Sequence, residues 1–189
     1  MEKISAKTGI LWGSFDPPTL AHKAIIIKML DLFQEALIII NDRSNKDYFF
    51  SIEHRTQMLH SMLSAISTKY QILIQNDKHN NDYFNVHQRI TGDLYVVAGM
   101  DALQTWVEAH DINELANYDG IYIVPRASIL PIALGSLTNV FTLPIDVNYQ
   151  NISSTKVRAQ LFSRIKNKKQ IELDSNVLAY IEQHKLYSI

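Results

Sequence analysis

The chain has 189 residues, 47% of them hydrophobic, with 18 Lys and Arg set against 19 Asp and Glu, seven His and no Cys. That length suits one domain with a full core, and the balanced charge offers no broad positive field for duplex nucleic acid or an anionic membrane, so any phosphate site has to be local. Without Cys there are no disulfides or thiolate metal sites, the His residues show no H-E-x-x-H spacing, no apolar run is long enough to span a bilayer, and residues 1–7 lack a signal-peptide core. We therefore expect one cytoplasmic domain over residues 1–189, with small-molecule partners and neither nucleic acid nor membrane among them.

Residues 8–12 read as a buried strand, and from Thr19 onward Leu20, Ala24, Ile27 and Leu30 recur at helical spacing. Between them lies a turn with Gly13, Ser14, Phe15, Asp16, Pro17 and Pro18. A strand, a Gly-containing turn and a helix start leave backbone N–H groups unpaired at the positive end of the helix dipole, a place that receives phosphate. His22 falls in the first turn of that helix and can add a hydrogen bond or a charge there.

The apolar run 35–40 reads as a parallel strand covered on both faces. The polar stretch 41–51, with Arg43 and Lys46, follows at its carboxyl end, where open α/β sheets bind ligands; a solvated connection is an equal reading. Ser51 is a candidate N-cap for a helix with a core stripe of Ile52, Met58, Leu59, Met62 and Ile66, on which His54 and Arg55 read as a polar face. A strand is expected at 70–75, a polar break at 76–81, a short helix at 82–90 and a strand at 94–99. After that strand, Gly99 permits close backbone approach, and Asp101 either caps the next helix or meets a ribose.

Further strands are expected at 120–124 and 140–143, with a loop or ragged helix at 128–136. Ser153, Ser154 and Thr155 then open a helix with Val157, Leu161 and Ile165 inward. Taken by itself this start reads first as an ordinary cap with a surface Arg; hydroxyls, open N–H groups and Arg158 together would also make a second phosphate pocket. A last helix, 175–184, buries Val177, Leu178 and Ile181. Strands alternating with helices imply an α/β fold, a doubly wound parallel sheet with helices on both faces.

The stretch from Gly13 to His22 resembles the G-x-F-D-P-x-[HT]-x-G-H signature of the nucleotidylyltransferases, with Ala21 where the family has Gly. Residues 152–158 resemble the family's second signature, I-S-S-T-x-[IV]-R. Gly99, Asp101 and Leu103 resemble its G-x-D-x-L, and Trp106 and residues 177–187 are similar to the bacterial nicotinate-nucleotide adenylyltransferase branch. Residues 82–88 do not reproduce the S-Y-T-x-x-T-L of that branch.

The resemblance implies a Rossmann-like nucleotidylyltransferase fold and transfer of the adenylyl group of ATP to a mononucleotide phosphate, with Mg²⁺ bridging phosphate oxygens and pyrophosphate leaving. By carry-over, Thr19 and His22 would bind the triphosphate, with His22 nearest the α-phosphate. Ser153, Ser154, Thr155 and Arg158 would hold the β- and γ-phosphates, and Lys46 would meet substrate phosphate. Gly13, Ser14 and Phe15 would lend backbone to the nucleotides, Gly99 and Asp101 would lie along the ATP ribose, and Trp106 would offer a platform for a pyridine ring or simply pack on its helix. The implied acceptor is nicotinate mononucleotide; nicotinamide mononucleotide, pantetheine phosphate and a nucleotide sensor without catalysis are the alternatives.

Overall fold

The computed structural model describes residues 6–66, 69–76, 90–109, 112–125, 139–163 and 171–186, and the side chains of 105–109 and 112–114 lie outside the description. Strand β1 (Lys7–Gly13) leads into helix α1 (Leu20–Leu32), then β2 (Glu35–Asp42), α2 (Ile52–Leu63) and β3 (Tyr70–Asn76). The second half runs β4 (Asp93–Gly99), α3 (Met100–Ala109), a 3₁₀ turn (Ile112–Asn117), β5 (Gly120–Val124) and β6 (Val140–Thr142). It closes with α4 (Val147–Gln150), α5 (Ser154–Phe162) and α6 (Ser175–Gln183).

The strands form one six-stranded sheet in the order β3-β2-β1-β4-β5-β6, and every pairing is parallel. The chain winds outward from β1 to β3, then returns to the other side of β1 to add β4, β5 and β6. This is the expected doubly wound sheet, and its reversal point lies between β1 and β4. The register opens a crevice there: the β1–β4 ladder ends at Leu11 and Val97, while the β1–β2 ladder continues to Gly13 and Ile40.

On one face, α1, α2 and α6 pack Ile26, Met29, Leu59, Met62, Val177 and Ile181 over Leu11, Ile38, Ile40 and Val97. On the other, Ile10, Leu37, Ile39 and Leu94 form one cluster and Val96, Leu103, Leu115, Ile121 and Ile123 a second, with Trp12 and Tyr118 touching both. The edge strand β3 is half open, with Ile74 49% exposed.

Some expectations change. The buried stripe of α1 is Ala21, Ile25, Ile26 and Met29, whereas Ile27, expected inward, is exposed. Residues 24–27 are all apolar, so periodicity alone does not choose a face; docking on the sheet does. Helix α2 stops at Leu63, before Ile66, which still packs against the core. The lead-in to the second signature holds a short helix, α4, capped by Asp146 accepting from the Asn148 N–H at 2.8 Å. The expected helix at 82–90, except for Ile90, the loop at 128–136 and Ile165 lie outside the described residues. No helix among the described residues is long and apolar enough to cross a membrane.

Candidate active site

The turn after β1 is built around Phe15, whose φ of 48° is a left-handed conformation uncommon for a bulky side chain. Burial of its ring holds it there: Phe15 is almost fully enclosed, with the His22 ring edge-on at 5.0 Å. Gly13 makes room for that ring, since a Cβ there would stand 2.8 Å from the Phe15 ring. Gly13 therefore serves the turn itself.

Thr19 is the N-cap of α1 and is fully buried. Its backbone N–H donates to His22 Nδ1 at 3.0 Å, and its hydroxyl lies 3.1 Å from the same nitrogen. His22 thus fills the N3 place of a capping box, reaching back to the cap as Glu does elsewhere. An accepting Nδ1 puts the neutral ring's proton on Nε2. Thr19, expected on the triphosphate, is enclosed here, with its N–H and hydroxyl on the His22 ring from inside the protein. The mouth of α1 also has fewer open donors than an uncapped helix, because the Leu20 N–H donates to the Glu172 carbonyl at 3.2 Å.

Asp16 is buried and uses both carboxylate oxygens on the loop that follows β2, accepting from the Phe49 N–H at 2.8 Å and the Phe50 N–H at 3.1 Å. The same loop is held from below by Arg55, which is completely buried and not the polar-face residue its helix position suggests. Its Nε donates to the Phe50 carbonyl at 3.1 Å, its Nη1 to the Ser14 and Asn41 carbonyls at 3.0 and 2.8 Å, and its Nη2 to Asp42. Its guanidinium also lies 3.9 Å from the centroid of the Tyr48 ring. Sequence reasoning missed Arg55; the available signal was an Arg among buried Met58, Leu59 and Met62 on a helix that starts beside the loop.

With the loop fixed, Lys46 reaches back so that Nζ donates to Ser14 Oγ at 2.8 Å. Partial burial holds Lys46 below the ordinary lysine value of 10.5, although the residue as a whole is exposed; Asp16 opposes the shift, and Arg158, Arg43 and Arg55 add to it.

At the start of α5, Ser153 is the N-cap and accepts from the Lys156 N–H at 3.3 Å. Ser154 Oγ donates to the Pro17 carbonyl at 2.8 Å, and Arg158 Nη1 donates to the Asp16 carbonyl at 2.5 Å. The second signature is therefore bonded to the first. Both serine hydroxyls have protein partners, as do the Lys156 N–H and the Arg158 guanidinium, and Ser154, Thr155 and Arg158 lie together at the start of α5, a helix end whose dipole suits an anion.

These residues line one cleft of about 550 Å³ at the crevice between β1 and β4. Gly13, Ser14, Phe15, His22, Lys46, Gly99, Asp101, Ser153, Ser154, Thr155 and Arg158 all lie on its walls. Gly99 leaves space for a neighbour, because a Cβ there would meet the Asp101 carboxylate at 3.0 Å. The side chain of Trp106 lies outside the described residues. Its lining is of two kinds, the polar His22, Lys46, Arg43, Arg158, Asp47 and Asp101 and the apolar or aromatic Trp12, Leu103, Leu115 and Tyr118, with Trp12 and Tyr118 edge to face at 6.1 Å. Basic side chains together with aromatic ones suit a phosphorylated ring compound.

A family model described as cytidylyltransferase-like matches residues 10–160, a span that contains both signatures. The chain belongs to the cytidylyltransferase-like family. The resemblance read from the sequence thus holds at family level. Among cytidylyltransferase-like relatives, the probable nicotinate-nucleotide adenylyltransferase of Acholeplasma laidlawii is 29% identical over 188 residues, 93% of this chain and 94% of its own. The phosphopantetheine adenylyltransferase of Christiangramia forsetii is 45% identical over 53 residues, 28% of this chain and 35% of that one. In fold, the chain is similar to the Plasmodium falciparum nicotinic acid mononucleotide adenylyltransferase complexed with NaAD, with a TM-score of 0.71 at 19% identity over 96% of this chain and 97% of that one.

Proposed function

We propose that the protein transfers the adenylyl group of ATP to the phosphate of nicotinate mononucleotide, releasing pyrophosphate. The observation that carries this reading is the junction of the two signatures in one cleft, Ser154 and Arg158 bonded to the loop that presents His22. Similarity to a probable nicotinate-nucleotide adenylyltransferase along nearly the whole chain supports the choice of acceptor.

In the reaction an oxygen of the mononucleotide phosphate forms a bond to the α-phosphorus of ATP as the bond to the bridging oxygen of pyrophosphate breaks. The attacking phosphate is already ionised, so no side chain needs to remove a proton. The protein's contribution is alignment and charge stabilisation. His22 donates from Nε2 to an α-phosphate oxygen, held in place by Thr19. Lys46 and Arg158, with the first turn of α5, receive the phosphates that become pyrophosphate, and the ring of the acceptor packs toward Trp12 and Tyr118. Asp16 has both oxygens engaged by backbone N–H groups, and Lys46, Arg43 and Arg158 supply donors in the same cleft, a set that suits phosphate oxygens. Mg²⁺ therefore arrives on the triphosphate as part of the substrate.

The test is to incubate the protein with ATP, Mg²⁺ and each of nicotinate mononucleotide, nicotinamide mononucleotide and pantetheine phosphate, following pyrophosphate and identifying the product by mass. Pyrophosphate with nicotinate mononucleotide is expected. The local 45% identity to a phosphopantetheine adenylyltransferase supports pantetheine phosphate as the second reading, and release with that acceptor alone would replace the first. ATP binding without release from any acceptor would leave a nucleotide sensor.

A further inference from the structure

Phe49 is 57% exposed, so packing in the core does not explain its place, yet its position is tightly determined. Its backbone N–H is tied to the buried carboxylate of Asp16 at 2.8 Å. Its ring lies 4.8 Å from the Arg158 guanidinium and 5.5 Å from the ring of Phe162. Arg158 and Phe162 stand four residues apart on α5 and so share one face of the helix. The guanidinium is also held by the Asp16 carbonyl at 2.5 Å and Thr155 Oγ1 at 3.2 Å, with an Asp16 carboxylate oxygen 4.0 Å from Nη1.

We propose that Phe49 is a positioning residue that orders the Arg158 guanidinium before any nucleotide arrives, turning a flexible cation into a preformed anion subsite at the mouth of the cleft. Arginine loses much rotamer freedom when it is fixed, and a side chain already ordered loses less on binding. The ring face also attracts the cation directly. Phe162 packs against the Phe49 ring as well, so the loop after β2 and helix α5 meet through side chains as well as through Asp16.

The inference rests on the nucleotide chemistry proposed above, and the test has an arm that does not depend on it. In the ligand-free protein, the Arg158 Nε–H resonance, assigned through Arg158→Lys, is expected to be displaced by the ring current of Phe49 and to return to the ordinary arginine position in Phe49→Ala. An Arg158 resonance that is the same in both proteins overturns the proposal, whether or not ATP binds. In the second arm, Mg²⁺-ATP is titrated calorimetrically into wild type, Phe49→Ala, Arg158→Ala and the double variant. Phe49→Ala is expected to weaken ATP about 3- to 10-fold in the wild-type background, with less than about a twofold effect once Arg158 is absent, and Phe49→Trp to restore affinity. An equal loss in both backgrounds overturns the proposal, because Phe49 would then act independently of Arg158. If wild type binds no ATP while the resonance shifts as expected, the functional reading fails and the positioning role stands.

Discussion

Replacing Arg55 by Met tests whether the loop that carries Lys46 is built on a buried ion. The guanidinium is fully enclosed and donates to the Phe50, Ser14 and Asn41 carbonyls and to Asp42. Met matches the volume roughly and supplies no donor, so all of these acceptors lose the Arg55 donor together. Asp42 is one-third exposed and can be rehydrated, which places most of the loss on the carbonyls. A buried acceptor left unsatisfied costs about 1–3 kcal/mol, so after partial relaxation the three carbonyls together lose about 3–5 kcal/mol, a large share of the roughly 5–15 kcal/mol that holds a domain folded. The corresponding fall in Tm is about 6–20 °C for a chain of this size. Arg55→Lys should lose less, because one ammonium can still serve part of the set, although its point-like head cannot reproduce the fork. Urea unfolding followed by circular dichroism gives the free energies, and steady-state kinetics should show KM for ATP rising in whichever variant stays folded. A Met variant within about 1 kcal/mol of wild type, the net value of a single ordinary hydrogen bond, would refute the reasoning.

Other expectations concern the nucleotide. His22→Ala should lower kcat by roughly 10²–10³ while changing ATP affinity far less, because a donor aimed at charge that develops in the transition state acts on rate; a near-normal kcat in steady-state assays would exclude that role. Ala21 is buried, lines the cleft and stands where the resembling family has Gly, so Ala21→Gly should tighten ATP by at most about 1–3 kcal/mol if its methyl crowds the nucleotide, and calorimetry would show no gain if it does not. The lowered pKa of Lys46 gives ATP binding an alkaline limb. The ammonium is present below its folded-state pKa and lost as pH rises through it, at a pH under the ordinary 10.5, so affinity should fall in that window. Lys46→Arg should move the limb beyond reach, and an unchanged profile would remove Lys46 from the phosphate site.

Two kinds of information were legible in the amino-acid sequence. All six strands were marked to within two residues at either end: β2 and β5 by apolar runs, because a parallel strand buried on both faces has no polar alternation to blur it, and the half-open edge strand β3 by its alternation. The signatures marked both helix starts, since Gly, Pro and hydroxyl residues act through local backbone geometry that adjacent positions determine. The tertiary structure decided what depends on neighbours distant in sequence. In α1, residues 24–27 are apolar all round, and only docking on the sheet turned Ile26 inward and Ile27 outward. Thr19 carries the same hydroxyl whether it faces a ligand or a ring nitrogen, and burial by the folded chain gave it the second role. Arg55 and Arg158 are both arginines on helices; one became the buried anchor of a loop and the other the lip of a cleft, because carbonyls from residues 14, 41 and 50 converge on the first and the loop at residues 16–17 meets the second. Helical periodicity reports which residues share a face, and the partners that come to that face are set only when the sheet closes.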